Sequence, residues 1–143
     1  MLHLLTVLFL TLFASESLAA RTIDSSETWS GEVVLTESVR VGEKALLTIT
    51  PGTEVRFSGS ATLTVQGRVL AKGTEKQPIS FLSSSGTEPG SWTGISFLGA
   101  REGSELEYVH FKGAVQALTI NGSKVSIVSS SVSSGVKGLY LGA

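Results

Sequence analysis

LLTITPGTEVRFSGSATLTVQGRVLAKGTEKQPISF, residues 46–81, is the stretch whose reading decides the fold. Short apolar pairs recur in it: Leu47 with Ile49, Val55 with Phe57, Leu63 with Val65, Val69 with Ala71, Ile79 with Phe81. Alternation over so few residues places both members of each pair on one face of a short strand. Turn residues cut each piece off, at Pro51-Gly52, Ser58-Gly59, Gly67, Gly73 and Pro78. Glycine and proline there supply the backbone angles that a bend between strands requires. Strands this short bury little alone and must stack on copies of themselves, which is the mark of a solenoid.

Outward from that stretch, twelve strand pieces follow from Val39, beginning at residues 39, 47, 55, 63, 69, 79, 95, 106, 118, 125, 132 and 139. Three strands to a turn gives about four rungs. In the second half, Ser104-x-Leu106-x-Tyr108 is aligned with Ser123-x-Val125-x-Ile127 at a spacing of nineteen. Leu118-x-Ile120 answers Leu139-x-Leu141 at twenty-one, so a small insertion is expected in serines 129–131. Glycine and serine interrupt every window that could form an amphipathic helix. A β-sandwich would have longer strands without a regular repeat. The expected fold is therefore all-β, a parallel coil of short stacked strands. Residues 20–37 precede the clear repeats and read as an N-terminal cap, with Trp29 closing the first rung or, alternatively, offering a platform to a sugar.

The chain has 143 residues and no cysteine, so disulfides and thiolate chemistry are excluded. Leu4 to Phe13 is an apolar or threonine run of about ten residues, too short for a bilayer that needs roughly 20. Small residues at Ser17 and Ala19 follow it, so residues 1–19 read as a secretory signal peptide with cleavage after Ala19. A secreted, periplasmic or cell-surface location is expected, with residues 20–143 as one domain. That domain carries eleven carboxylates against eleven Lys and Arg. Such a balance gives no electrostatic footprint for nucleic acid, and no second apolar run suggests a membrane span.

The segments PGTEVRFSGSATLTVQGRVLAKGTEKQPISF (51–81), PGSWTGISF (89–97) and SELEYVHFKGAVQALTI (104–120) resemble bacterial right-handed parallel β-helix repeat proteins, in the same order. The resemblance covers nearly all of residues 20–143 and implies a secreted or cell-surface β-helix. It implies no particular chemistry, because the same fold hosts polysaccharide lyases, hydrolases and adhesins. Members of that family continue for several further rungs. Missing C-terminal rungs or another chain are therefore expected to cover the edge left after residues 139–143.

Chemistry is sparse. A β-helix lyase needs converging acids to hold calcium, and a hydrolase needs paired carboxylates. The chain has one aspartate, Asp24, and it lies in the cap. The best constellation is Glu105, Glu107 and His110, with the glutamates about 7 Å apart on one strand face. A kink between Tyr108 and Val109 would turn His110 outward beside them, with Lys124 and Ser126 on the next rung. Against this stands a solvated face with charges paired across rungs. Trp92, in PGSWTG, either stacks on a sugar or folds back to lock its loop. Thr48, Thr50, Thr62 and Thr64 suggest a threonine array but extend over too few rungs. The sequence thus points to no catalytic, cofactor or metal residue. It leaves Trp92, Glu105, Glu107 and His110 as candidate ligand contacts. The expected role is an exported, non-catalytic module binding a polysaccharide or a cell-surface component. The alternative is the N-terminal part of a polysaccharide-active enzyme.

Overall fold

Each apolar pair becomes one of sixteen short strands in the computed structural model, which describes residues 21–142. The expected signal peptide lies outside the described residues. The first turn holds β1 (Arg21–Ile23), β2 (Glu27–Trp29) and β3 (Glu32–Leu35). The second holds β4 (Val39–Val41), β5 (Leu46–Ile49) and β6 (Glu54–Phe57). The third holds β7 (Leu63–Val65), β8 (Arg68–Lys72) and β9 (Ile79–Ser83). The fourth holds β10 (Ile95–Leu98), β11 (Ser104–Glu107) and β12 (Val109–Lys112). The fifth holds β13 (Gln116–Asn121), β14 (Val125–Val128) and β15 (Ser131–Ser133), and β16 (Lys137–Gly142) begins a sixth. Every third strand pairs in parallel, which makes three sheets: one of six strands running β1 to β16, and two of five ending at β14 and β15. The described residues contain no helix.

The coil therefore has about six turns rather than four. Two causes account for the difference. Residues 21–35, read as the cap, form a full turn, because β1, β2 and β3 pair with β4, β5 and β6. The piece from Leu106 to Phe111 is two strands rather than one. Tyr108 lies between them at φ 49°, and this left-handed residue turns the chain from one sheet to the next. Inward pointing resumes at Val109 and Phe111, both buried, as the kink predicts.

The spacing of nineteen is also corrected. Leu106 sits over Ile127 and Leu118 over Leu139, both twenty-one apart, with no insertion in the serine run. An alternating pattern shifted by two looks identical, so periodicity alone could not choose the register. The corner residues do: Tyr108 and Ser129, twenty-one apart, have φ 49° and 50°.

The interior is one continuous column of buried apolar side chains, including Leu63, Ile79 and Leu118. Four phenylalanines, Phe57, Phe81, Phe97 and Phe111, are its largest fully buried members. At the corners, where ladder carbonyls turn away, serine hydroxyls take their place. Ser38, Ser104, Ser123 and Ser130 accept the backbone N–H of Thr62, Val69, Ala100 and Val109, respectively, at 2.9–3.1 Å. Ser104 is 1% exposed and faces inward between Val69 and Val125. Ser104→Ala strips the acceptor from a buried N–H. We expect it to lower the unfolding free energy by about 1–3 kcal/mol in a urea titration. A loss near zero would mean that this corner bond contributes nothing.

Candidate functional site

Sequence alone brings Glu105, Glu107 and His110 together, but the structure divides them between two sheets. Glu105 and Glu107 point outward from β11 in the sheet that ends at β14. His110 points outward from β12, beyond the Tyr108 corner, in the sheet that ends at β15. There its Nδ1 lies 2.5 Å from Ser131 Oγ, one turn further on. The turn at Tyr108 that re-aims Val109 also takes His110 off the glutamate face.

Around Glu105 the neighbours are cations that local sequence could not supply. Its Oε2 is 3.2 Å from Lys72 Nζ and 4.0 Å from Arg68 Nη2, both carried by β8 on the preceding turn. Arg68 Nε also donates to the carbonyl of Gly103 at 2.8 Å. Glu105, Arg68 and Gly103 line an open depression of about 670 Å³ with Glu102, Ser104, Lys124 and Ser126. Ser126 is in register with Glu105, whereas the spacing of nineteen would have set it beside Glu107. The floor is a solvated, charge-paired face, and such exposed pairs contribute at most about 1 kcal/mol each. Among the described residues, no three His, Asp or Glu side chains come close enough to hold a metal ion.

Trp92 takes the scaffold role of its two readings. It is 3% exposed, its ring stacks on Phe57 at 4.4 Å between centroids, and its Nε1 donates to the Lys112 carbonyl at 2.7 Å. Both ring face and N–H are engaged by the coil, so the loop before β10 is pinned and no sugar reaches the indole. Trp29 is likewise buried, with Nε1 donating to Glu27 at 2.8 Å. Glu27 also accepts from Arg21 at 2.6 Å. The Arg21 bond, helped by that of Trp29, holds the Glu27 carboxyl below the usual glutamate range.

The threonines are not one array. Thr48 lies on β5, whereas Thr64 lies on β7 in the six-stranded sheet. On that six-stranded sheet, register aligns Thr22, Arg40, Thr64, Ser96, Thr119 and Tyr140, one per turn. This outward ladder carries a hydroxyl on five of its six rungs. None of the six strands contains an aspartate or glutamate. The other two faces carry ion pairs, Glu105 with Lys72 on one and Arg56 with Glu54 and Glu32 on the other. Sequence reading missed the ladder because its members lie eighteen to thirty-two residues apart. A comparison of the chain with protein-family models, curated proteins and solved structures finds no match.

Proposed function

We propose that this chain is an exported, non-catalytic β-helix module that binds a polysaccharide or another surface component along an outer sheet. The observation that supports this most is the carboxylate-free hydroxyl ladder of the six-stranded sheet. Threonine, serine and tyrosine hydroxyls both donate and accept hydrogen bonds, as sugar hydroxyls do. Parallel strands repeat them at intervals of about 4.8 Å on a flat surface. Tyr140, 54% exposed at one end of the ladder, adds an aromatic face of the kind that stacks on a sugar ring. The leader-like residues 1–19 and the resemblance to bacterial β-helix repeat proteins agree with an extracellular or cell-surface role. The glutamates support binding rather than turnover, since Glu105 is neutralised by Lys72 and Arg68 and stands in an open depression.

Affinity electrophoresis in gels containing neutral or acidic polysaccharides tests this reading. We expect at least one polysaccharide to retard the protein, and Thr64→Glu with Ser96→Glu to abolish the retardation without altering the circular dichroism. No new reducing ends should form, with or without calcium. Failure of every polysaccharide to retard the protein would sink the binding proposal. Calcium-dependent cleavage abolished by Glu107→Ala would sink the non-catalytic one.

A further inference from the structure

Arg40 is the one rung of the ladder without a hydroxyl. It stands outward and exposed at the centre of β4, in register with Thr22 on one side and Thr64 on the other. Arg40, Thr64, Ser96 and Thr119 are carried by β4, β7, β10 and β13, each of which has a paired strand on both sides. Their outward position therefore does not depend on either end of the coil. Arg21, Arg56 and Arg68 each have a glutamate partner. Among the described residues Arg40 forms no ion pair, although Glu37 and Glu43 lie in the turns on either side of β4. Its own sheet supplies no carboxylate.

The polar groups around this cation are committed in one sense. Ser38, two residues before Arg40, accepts both the N–H and the hydroxyl of Thr62, each at 3.1 Å. Both lone pairs of Ser38 are then filled, and its proton is what remains to be given. At Thr119 the hydroxyl oxygen accepts from Gln116 Nε2 at 2.6 Å, which leaves the Thr119 proton free to donate. The guanidinium only donates. A neutral sugar hydroxyl gives and takes hydrogen bonds alike, whereas this face has more to give than to take. A ligand with negative charge and surplus acceptors completes it. The planar fork of an arginine matches a carboxylate or a sulfate, which it can hold by two parallel bonds.

Resting on the reading of this sheet as a glycan-binding face, we propose that its ligand is an acidic polysaccharide. One carboxylate or sulfate group is held by the Arg40 guanidinium, and the sugar hydroxyls beside it lie along Thr64, Ser96 and Thr119. The strands set these contacts at intervals of about 4.8 Å. With no carboxylate on the sheet to share a calcium ion, the acid group meets the arginine directly.

Affinity electrophoresis in the presence of EDTA, in gels containing dextran, polygalacturonate or dextran sulfate, tests the proposal. We expect an acidic polymer to retard the protein and dextran not to, with the better of the two acidic polymers identifying carboxylate or sulfate as the group bound. Arg40→Gln should weaken the retardation about tenfold or more, as the loss of one charge-assisted contact would. Arg40→Lys keeps the charge without the fork and should weaken it less. Arg101→Gln removes the same charge from the loop after β10 and should change nothing. Both arginines are exposed, so circular dichroism should be the same for every variant. Retardation that survives Arg40→Gln, or that Arg101→Gln reduces equally, overturns the proposal. Equal retardation by single-stranded DNA does so too, because charge alone would then suffice. Retardation by dextran alone overturns it and leaves the glycan-binding reading standing, whereas no retardation by any polysaccharide removes both.

Discussion

Replacing Phe81 with alanine is expected to lower the unfolding free energy by about 3–5 kcal/mol, the range for deleting a buried aromatic ring. Phe81 sits between Phe57 and Phe111 in the aromatic part of the interior. Its ring lies 5.4 Å from that of Phe111 at 11° and 6.3 Å from that of Phe57, which in turn stacks on Trp92. The column in register runs Val33, Val55, Phe81, Phe111, Val132, so the ring is bounded by side chains of the turns on either side. Those turns are fixed by their own ladders at strand spacing and cannot collapse inward to fill the space. The cavity therefore persists, and its cost adds to the lost transfer free energy. Phe81→Leu refills most of the volume and should cost much less. Guanidinium titrations of the three proteins check this. A loss below about 1 kcal/mol for alanine would show that the phenylalanine column is not what holds the turns together.

How far the chain could be read in advance follows from the kind of information each feature carries. Inward and outward positions are written locally, by alternation, and so Leu63, Ile79 and Leu118 are buried as expected. The Tyr108 kink is local too, since Val109 and Phe111 shift the alternation by one. Whether such a shift is a bulge or a corner is not local, and here it is a corner that sends His110 to another sheet. The first turn was read as a cap although Val33 and Leu35 alternate, because β1 and β2 are three residues long and each contributes a single buried apolar side chain, Ile23 and Trp29. Partners across turns are least legible of all. Leu70 pairs with Glu105 thirty-five residues away, because the loop of residues 84–94 lengthens that turn. Nothing near Glu105 in sequence announces Lys72, and nothing near Thr64 announces Ser96.

Gly94→Ala should be the most damaging of the glycine-to-alanine changes in this chain, costing about 3–5 kcal/mol, at the upper end for point changes. Gly94 has φ +124°, in a region that side chains rarely enter. Its added Cβ would lie 1.7 Å from the Gln116 carbonyl oxygen and 2.8 Å from the carbonyl carbon. Both are backbone atoms of the next turn, and Gln116 is held by donating to the Thr93 carbonyl at 3.0 Å. No side chain can swing aside; the start of β10 or of β13 must move. Movement of β10 also disturbs Trp92, whose carbonyl accepts the Val115 N–H at 2.7 Å and whose ring covers Phe57. The lesion should therefore appear twice, as lost stability and as tryptophan emission shifted toward that of an exposed indole. Gly59→Ala separates backbone conformation from crowding. Gly59 has φ +60° with nothing within 4 Å of an added Cβ, so only the left-handed penalty of about 1–2 kcal/mol applies. If Gly94→Ala costs no more than Gly59→Ala and leaves the emission unchanged, consecutive turns do not press on each other at this point. The Trp92 loop would then be an ornament on the coil rather than part of its wall.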